Sequence, residues 1–577
     1  MTTRPAQTLD RTRGATEPVG HVDRRQRGRT PVSPGRLSRR SRWAAVLAGA
    51  AIVTAAGTGA AAAATGDLDP TWSGDGIATQ PGLQALATAE QPDGRLVVAG
   101  TGVVPDGTPA NGGTYIARYT RAGTLDPAFG TGGVRRISIA PGSEQVRDVV
   151  VDAAGRVLVG GYVAAPDYPD ETDVFVLRLT SSGAPDPSFG GGDGIVTIDR
   201  TNHDRGAALA LSGSRILLGT GLDSGGNFGL QWTVFALTAS GAPDTGFSGD
   251  GVSEVPVERL GSFDSLRDIA VQPDGKILLG GSTGNEFASV RMTRAGALDR
   301  TYGGDGVART LVDDGGAGSR LLLQPDGKVV VAGYAAARGR SDTDVAAVRW
   351  TAGGQLDRSF GGDGRVVLDS GDRRNNRAQA AALAADGKIV LVGSTDTATG
   401  MDSLVARLDW DGSPDTSFSR DGLVVTSTLS TSNEQLEAVS VTAGGQVRAV
   451  GANLNGWTLL GYRGGADHLL SVGDAAVTEP DSGSATMTFT VRLSPASPTP
   501  VSVRYATRNG TASTPADLTA RTGVLTIPPG ATSRTVTVPV VGDHAQEPDE
   551  TFTVGLSLPT NAGIADSSGV GTIRDDD

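Results

Sequence analysis

The stretch LDRTYGGDGV, residues 298–307, places Asp299 and Asp305 six positions apart among glycines. Acids on a glycine-rich turn are the residue types of a calcium loop, because calcium is held by roughly six to eight oxygen ligands. The same residues also build a plain turn, where Asp accepts from the backbone and Gly takes the positive φ. Three other loops gather groups able to do chemistry. PDYPDETD (166–173) clusters Asp167, Asp170, Glu171 and Asp173, either as cation ligands or as a solvated acidic loop. DRTNHDRG (199–206) brings together Asp199, His203, Asp204 and Arg205, the types of a general acid/base pair. DSGDRRNNR (369–377) is a basic loop, either a solvated turn or an anion site.

Recurrence separates the readings of the first stretch. A pattern L/P-D-x-x-aromatic appears seven times, with Asp69, Asp126, Asp186, Asp244, Asp299, Asp357 and Asp415 spaced by 57, 60, 58, 55, 58 and 58 residues. Its aromatics are Trp72, Phe129, Phe189, Phe247, Tyr302, Phe360 and Phe418. Asp305 has counterparts in five other units, Gly132 being the exception. No unit supplies the downstream Glu of an EF-hand loop, and no nine-residue tandem follows. The stretch therefore reads as the turn between units, with Tyr302 filling the packing. Arg118, Arg178, Arg291, Arg349 and Arg407 each precede a repeat Asp by eight residues, while units three and seven carry Ala236 and Gly461 there. An Arg repeated in nearly every unit reads as a staple between units, pairing with its own or a neighbouring Asp. The competing reading is an Arg array facing an anionic ligand.

These groups need elements to hold them. The fourth unit contains four short apolar segments, GVSEVPV (251–257), LRDIAVQ (266–272), KILLGG (276–281) and FASVRMT (287–293). Pro273-Asp274-Gly275 between the middle two is a hairpin signal. Runs such as LVVAG, ILLGG and VVVAG predict strands buried on both faces. Four strands per unit and seven units predict an all-β fold, a seven-bladed β-propeller over residues 65–463. QPDGKILLGG and VRMTRAGALDRTYGGDG, with their six relatives, resemble the delta-60 repeat family of bacterial surface proteins. That resemblance implies a propeller and no particular chemistry.

After the linker 464–468 the pattern becomes strict alternation: Met487, Phe489, Val491 and Leu493; Val501, Val503 and Tyr505; Val536, Val538 and Val540; Phe552, Val554 and Leu556. Some seven strands over 469–577 predict an immunoglobulin-like β-sandwich. SVGDAAVTEPDSGSATMTFTVRLS, GVLTIPPGATSRTVTVPVVGD, EPDETFTVGLS and GTIRDDD resemble a Calx-beta domain. The resemblance implies a calcium site at one pole. Its ligands would be Glu479, Asp517 in TPADLTA, Asp543 and Glu547 in VGDHAQEPDE, and Asp575, Asp576 and Asp577. Gly542 and His544 stand where calcium-binding members carry acids, which implies a depleted multi-ion site. The alternative is a purely structural sandwich with acidic loops.

Composition bounds the function. With no Cys and four His (His21, His203, His468 and His544), disulfide frameworks, thiolate sites and His-built zinc sites are excluded or improbable. Residues 1–64 carry 11 Arg and a net charge of +8, which leaves −21 of the chain's −13 on residues 65–577. An acidic body repels nucleic acid and favours cations. Residues 1–64 read as an export signal with a long basic leader: Arg36–Arg42, an apolar run from Ala44 to Val53, and small residues at Ala60–Ala64. Sec and twin-arginine export both remain open, and no membrane span is expected in the mature chain. Together these features predict a non-catalytic extracellular or cell-surface protein of binding or adhesion type, with an extracellular protein or glycan as partner. A polysaccharide-acting enzyme on the propeller, marked by unpaired carboxylates or His at the axial channel, is one alternative. A structural wall or matrix component is the other.

Overall fold

The computed structural model describes residues 66–575, apart from 104–108, 166–170, 200–203, 224–229, 256–264, 369–372, 399, 420, 429–432, 443, 454–455, 464–467, 495, 498–499 and 561. Residues 1–64, where the sequence leads one to expect an export signal, and most of the linker thus lie outside the described residues. So do Asp167, Asp170, His203, Asp576 and Asp577. The described residues are strands and turns without a helix.

Up to residue 462 these strands form seven four-stranded antiparallel sheets. One of them runs Ser265–Val271, Ile277–Thr283, Glu286–Met292, Val307–Thr310. The turn at 272–276 closes as the sequence predicts, with the Gln272 N–H donating to the Lys276 carbonyl at 2.8 Å and Gly275 at φ 82°. The second strand, Ile277–Thr283, is buried at every position. The sheets are offset from the sequence repeat by one strand. GVSEVPV opens the fourth unit, yet its Val252–Glu254 pairs as the outer strand of the preceding sheet. The cause is the repeat turn at 244–251, which hands the chain back along the outer edge before it reaches the next sheet. The last sheet consequently lacks its fourth strand, and Ile77–Pro81 from the other end of the array completes it, Ile77 opposite Leu460 and Pro81 opposite Gly456.

The first strands of successive sheets touch one another. Leu83–Glu90 packs on Ser143–Val151, and so on around to Gln435–Val441, which packs back on Leu83–Glu90. The circuit is that of a β-propeller, with first strands lining the axis. Apolar clusters lie between neighbouring sheets, as where Leu278, Tyr302, Val329, Val331 and Trp350 meet.

Beyond residue 468, nine strands form two sheets, against the seven expected. The first expected strand is split: Leu469–Val472 pairs with Gly483–Ser494, whereas Ala475–Thr478 pairs in the other sheet with Ser568–Arg574. Asp474 sits at the crossing, its carboxylate accepting the Val570 N–H at 2.8 Å. The C-terminal segment splits likewise into Gly563–Asp566 and Ser568–Arg574. Both sheets bury one core, including Phe489, Val491, Val503, Val538, Phe552 and Val554. The alternating positions named from the sequence fill it, with Tyr505 half-buried at its edge.

Candidate functional site

The repeat carboxylates are engaged in the fold. Asp299 Oδ2 accepts Arg291 Nε at 2.8 Å, and its Oδ1 accepts the Thr301 hydroxyl at 2.6 Å and amide at 3.1 Å. Arg118, Arg178, Arg349 and Arg407 pair in the same way with Asp126, Asp186, Asp357 and Asp415. Each guanidinium lies over its own repeat aromatic, Arg291 at 4.7 Å from the Tyr302 centroid. It also reaches the following sheet: Arg291 Nη1 donates to the Ala352 carbonyl at 2.6 Å, Arg178 to Ala239, Arg349 to Trp410 and Arg118 to Ser181. The aromatic packs against a glycine of that same sheet. A Cβ on Gly354 would stand 3.0 Å from the Tyr302 ring, at φ +81°. The staple between units therefore has four parts, an ion pair, a cation–π contact, a carbonyl acceptor and a ring on a glycine.

The two units lacking the Arg are completed from another strand. Arg215 pairs with Asp244 at 2.6 Å, lies over Phe247 and donates to the Arg294 carbonyl. Arg448, directly opposite Gly461 in the register, meets Asp69 at 3.3 Å and lies over Trp72. Sequence spacing did not reveal this, because the substitute comes from the neighbouring strand. A second cation after the hairpin turn also reaches the Asp in several units, as Lys276 does at 3.2 Å from Asp299. For Asp357, burial alone would raise the carboxyl. The Ser359 hydroxyl and amide, Arg349 and Lys328 outweigh it and hold the group at about 2. Asp305 is a turn acceptor, taking the Val307 N–H at 3.0 Å, as do Asp75, Asp193, Asp250, Asp363 and Asp421 at equivalent places.

The basic loop 369–377 is a tie between sheets where it is described. Asn375 accepts the Thr343 N–H at 3.1 Å and donates to Asp396 at 2.7 Å. Of PDYPDETD, Glu171 and Asp173 are described. Burial first, then the charges of Asp199 and Glu171, raise the Asp173 carboxyl.

In the C-terminal sheets, carboxylates converge at one end. Asp517, Glu547 and Glu550 each place an oxygen within 4.8 Å of the others'. Asp517 sits in the loop before Thr522–Ile527 and is anchored by the Ser513 N–H at 2.7 Å. Its backbone carbonyl takes the Val541 N–H. Glu550 opens the strand Glu550–Thr560. Glu479 follows Ala475–Thr478, with its N–H on the Arg574 carbonyl. Burial raises the Glu479 carboxyl, and so do the charges of Asp543, Glu547 and Asp517. Glu550 is raised by burial and then by Asp517. Asp575 accepts the Glu547 N–H at 3.2 Å and so borders the cluster. Asp543 Oδ1 is turned to the Ala545 N–H. Glu479, Asp517, Asp543 and Glu547, all named from the sequence, thus lie in one electrostatic group. Glu550 is the member the sequence reading missed. It shares strand parity with Phe552, Val554 and Leu556, and a charged residue on the core-facing parity of a strand was the available signal.

Two opposite oxygens on a calcium ion stand about 4.8 Å apart, twice the usual ion–oxygen distance. An all-carboxylate donor set with that spread, beside which burial first and neighbouring charge second raise Glu479 and Glu550, fits a hard divalent cation.

The propeller axis holds a second group of charges. The first strand of each sheet carries a β-bulge, and in three sheets the residue there is Arg147, Arg267 or Glu437. The next residues, Asp148 and Asp268, both reach Arg320 of another sheet, at 3.5 and 3.3 Å. Asp148 also accepts the Leu209 N–H and Asp268 the Leu321 N–H, both at 2.8 Å. Burial pushes Asp268 up to about 6, the Asp148 charge adding to it and Arg320 opposing.

Residues 471–577 match the Calx-beta domain family. Residues 91–129, 155–189, 272–302, 324–360 and 384–418 match a beta-propeller family described as a domain of unknown function, DUF5122. The chain thus carries propeller repeats of that family followed by a Calx-beta domain. No curated protein matches it. Among solved structures, the apo-form Calx CBD1 domain is 28% identical over 19% of this chain and 98% of its own, with a TM-score of 0.17. The calcium binding domain CBD12 of CALX1.1 is 28% identical over 19% of this chain and 44% of its own, with a TM-score of 0.18. Prolyl oligopeptidase B from Galerina marginata is 10% identical over 73% of this chain and 57% of its own, with a TM-score of 0.33.

Proposed function

We propose that the protein is an exported, non-catalytic binding or adhesion protein of the cell surface or extracellular space. A seven-bladed propeller serves as the platform for a protein or glycan partner, and an immunoglobulin-like sandwich takes calcium. The observation that carries this reading is the carboxylate group Asp517, Glu547 and Glu550, with Glu479 beside it. Calcium would be held by these oxygens, with Asp543 and Asp575 at the rim, and would offset the burial and the repulsion that together raise Glu479 and Glu550. The ion supplies no reaction here; it ties the loop around Asp517 to the start of Glu550–Thr560. The membership of residues 471–577 in the Calx-beta domain family supports the choice of ion.

Thermal unfolding of the full chain in EDTA and in 5 mM calcium tests the proposal. At a dissociation constant in the range of about 0.1–1 mM usual for extracellular modules, calcium should add about 1–2 kcal/mol to the transition of the C-terminal domain. Glu550→Gln together with Asp517→Asn should abolish the difference. Superimposable curves for the unmutated chain would remove calcium from its function.

A further inference from the structure

We propose that the axial mouth around Arg267, Arg147 and Glu437 is a saccharide site that takes a sugar bearing a carboxylate. The proposal rests on reading the propeller as a binding platform and names what that platform holds. The three residues occupy the bulge positions of three first strands, so the ring itself aims them at one axis. Arg320, which meets both Asp148 and Asp268, shows that side chains from those strands reach a common centre. The charges of Arg147 and Arg267 both act on the Glu437 carboxylate, so the three groups face one space.

Their partners differ. Arg147 is steadied by Tyr162, whose ring centroid is 5.3 Å away and whose hydroxyl takes a hydrogen bond at 3.1 Å. Arg267 is exposed, and its guanidinium has no hydrogen bond or ion pair among the described residues. A planar fork of donors left open on the axis of a chain with net charge −13 is suited to a carboxylate. Elsewhere in the propeller this protein closes such forks with its own Asp.

The space beside Glu437 indicates what carries the carboxylate. A cavity of about 210 Å³ is lined by Gln84, Asn433, Gln435 and Asn453, with Met401 and Ala452 as its apolar part. Gln435 donates to Glu437 and Asn453 to Thr458, while the carboxamides of Gln84 and Asn433 each carry a donor and an acceptor, as each sugar hydroxyl does. Glu437 accepts from Gln435 at 2.7 Å and has acceptor capacity left for a hydroxyl. Sulfate or an ionised carboxylate side chain brings no donors to satisfy these acceptors. Sequence reading passed over this site because Arg stands at that bulge in two sheets and other side chains stand there in the rest, so no period marks it.

Calorimetry on the full chain tests it, using short oligomers of galacturonate, glucuronate and mannuronate, a neutral galactose oligomer of equal length, and tetra-aspartate. At least one oligouronate should bind, at least tenfold more tightly than the neutral oligomer and than tetra-aspartate. Arg267→Gln should weaken that binding about tenfold while leaving the melting temperature unchanged, and Arg147→Gln should weaken it as well. Equal binding of the neutral oligomer, or binding insensitive to Arg267→Gln, would overturn the proposal. Tetra-aspartate binding that is stronger and lost in Arg267→Gln would keep the platform but replace the saccharide by an acidic protein partner. Absence of binding by every oligouronate would overturn the saccharide site and leave the platform reading to be tested by other partners.

Discussion

At the scale of single residues, the surroundings of a carboxylate shift it in opposite directions. Asp357 is held at about 2 by two cations and two Ser359 donors, so its charged form stabilises the fold. That contribution is complete above the unfolded carboxyl range and is lost as pH falls toward 2. Glu479 and Glu550 are shifted the other way. Their folded forms bind protons more tightly than the unfolded chain, so their contribution is present in mild acid and is lost as pH rises through their raised values. Under the proposed function, calcium would replace those protons. The calcium-induced rise in melting temperature should therefore be small near pH 4.5 and larger at pH 7.5. Melts at both pH values with and without EDTA check this, and an equal rise at both would speak against a carboxylate site.

At the scale of elements, the staple between sheets is a unit of structure in its own right. Arg291 touches its own Asp299, its own Tyr302 and the carbonyl of Ala352 on the next sheet. Removing it leaves a buried carboxylate with Lys276 as its remaining ion-pair partner and a buried carbonyl without its donor. Arg291→Met should cost about 3 kcal/mol, in the range for breaking a buried pair from one side. Denaturant unfolding measures it, and oligouronate binding at the axis should be untouched in the folded variant. An unchanged midpoint would mean that the Arg serves something other than cohesion. The completion of two units by Arg215 and Arg448 supports cohesion, since the ion pair and the cation–π contact are rebuilt in both from a different strand, and Arg215 also regains the carbonyl contact.

At the scale of the whole molecule, the ring is shut by chain ends rather than by a covalent link. Ile77–Pro81 pairs with Gly456–Tyr462, and Trp72 and Asp69 lie with Arg448 of the last unit. A chain beginning at Gly82 would leave Gly456–Tyr462 as an open edge of buried apolar residues. Open edges of that kind recruit other chains. Light scattering after gel filtration should find the truncated chain in oligomers and the full chain in a smaller, discrete state. An unaltered mass and melting temperature would mean that this strand is not the closure.

Much of the architecture is legible because burial imposes periods that the chain must write into its residues. The repeat Asp and aromatic announced the sheets, and alternation from Met487 to Leu556 announced the core of the C-terminal sheets. The Arg–Asp spacing of eight predicted a pairing that occurs in all five units carrying it. Glu479, Asp517, Asp543, Glu547 and Asp575 at the C-terminal pole follow from the resemblance to a Calx-beta domain and not from any period in the chain. What the sequence by itself determined is thus whatever repeats or alternates. The tertiary structure decided the rest: the one-strand offset of sheets from repeats, the substitution of Arg215 and Arg448, the inclusion of Glu550, and the meeting of Arg147, Arg267 and Glu437 on the axis. Each of these depends on which strands become neighbours, and a closed ring makes neighbours of residues hundreds of positions apart without leaving any period behind.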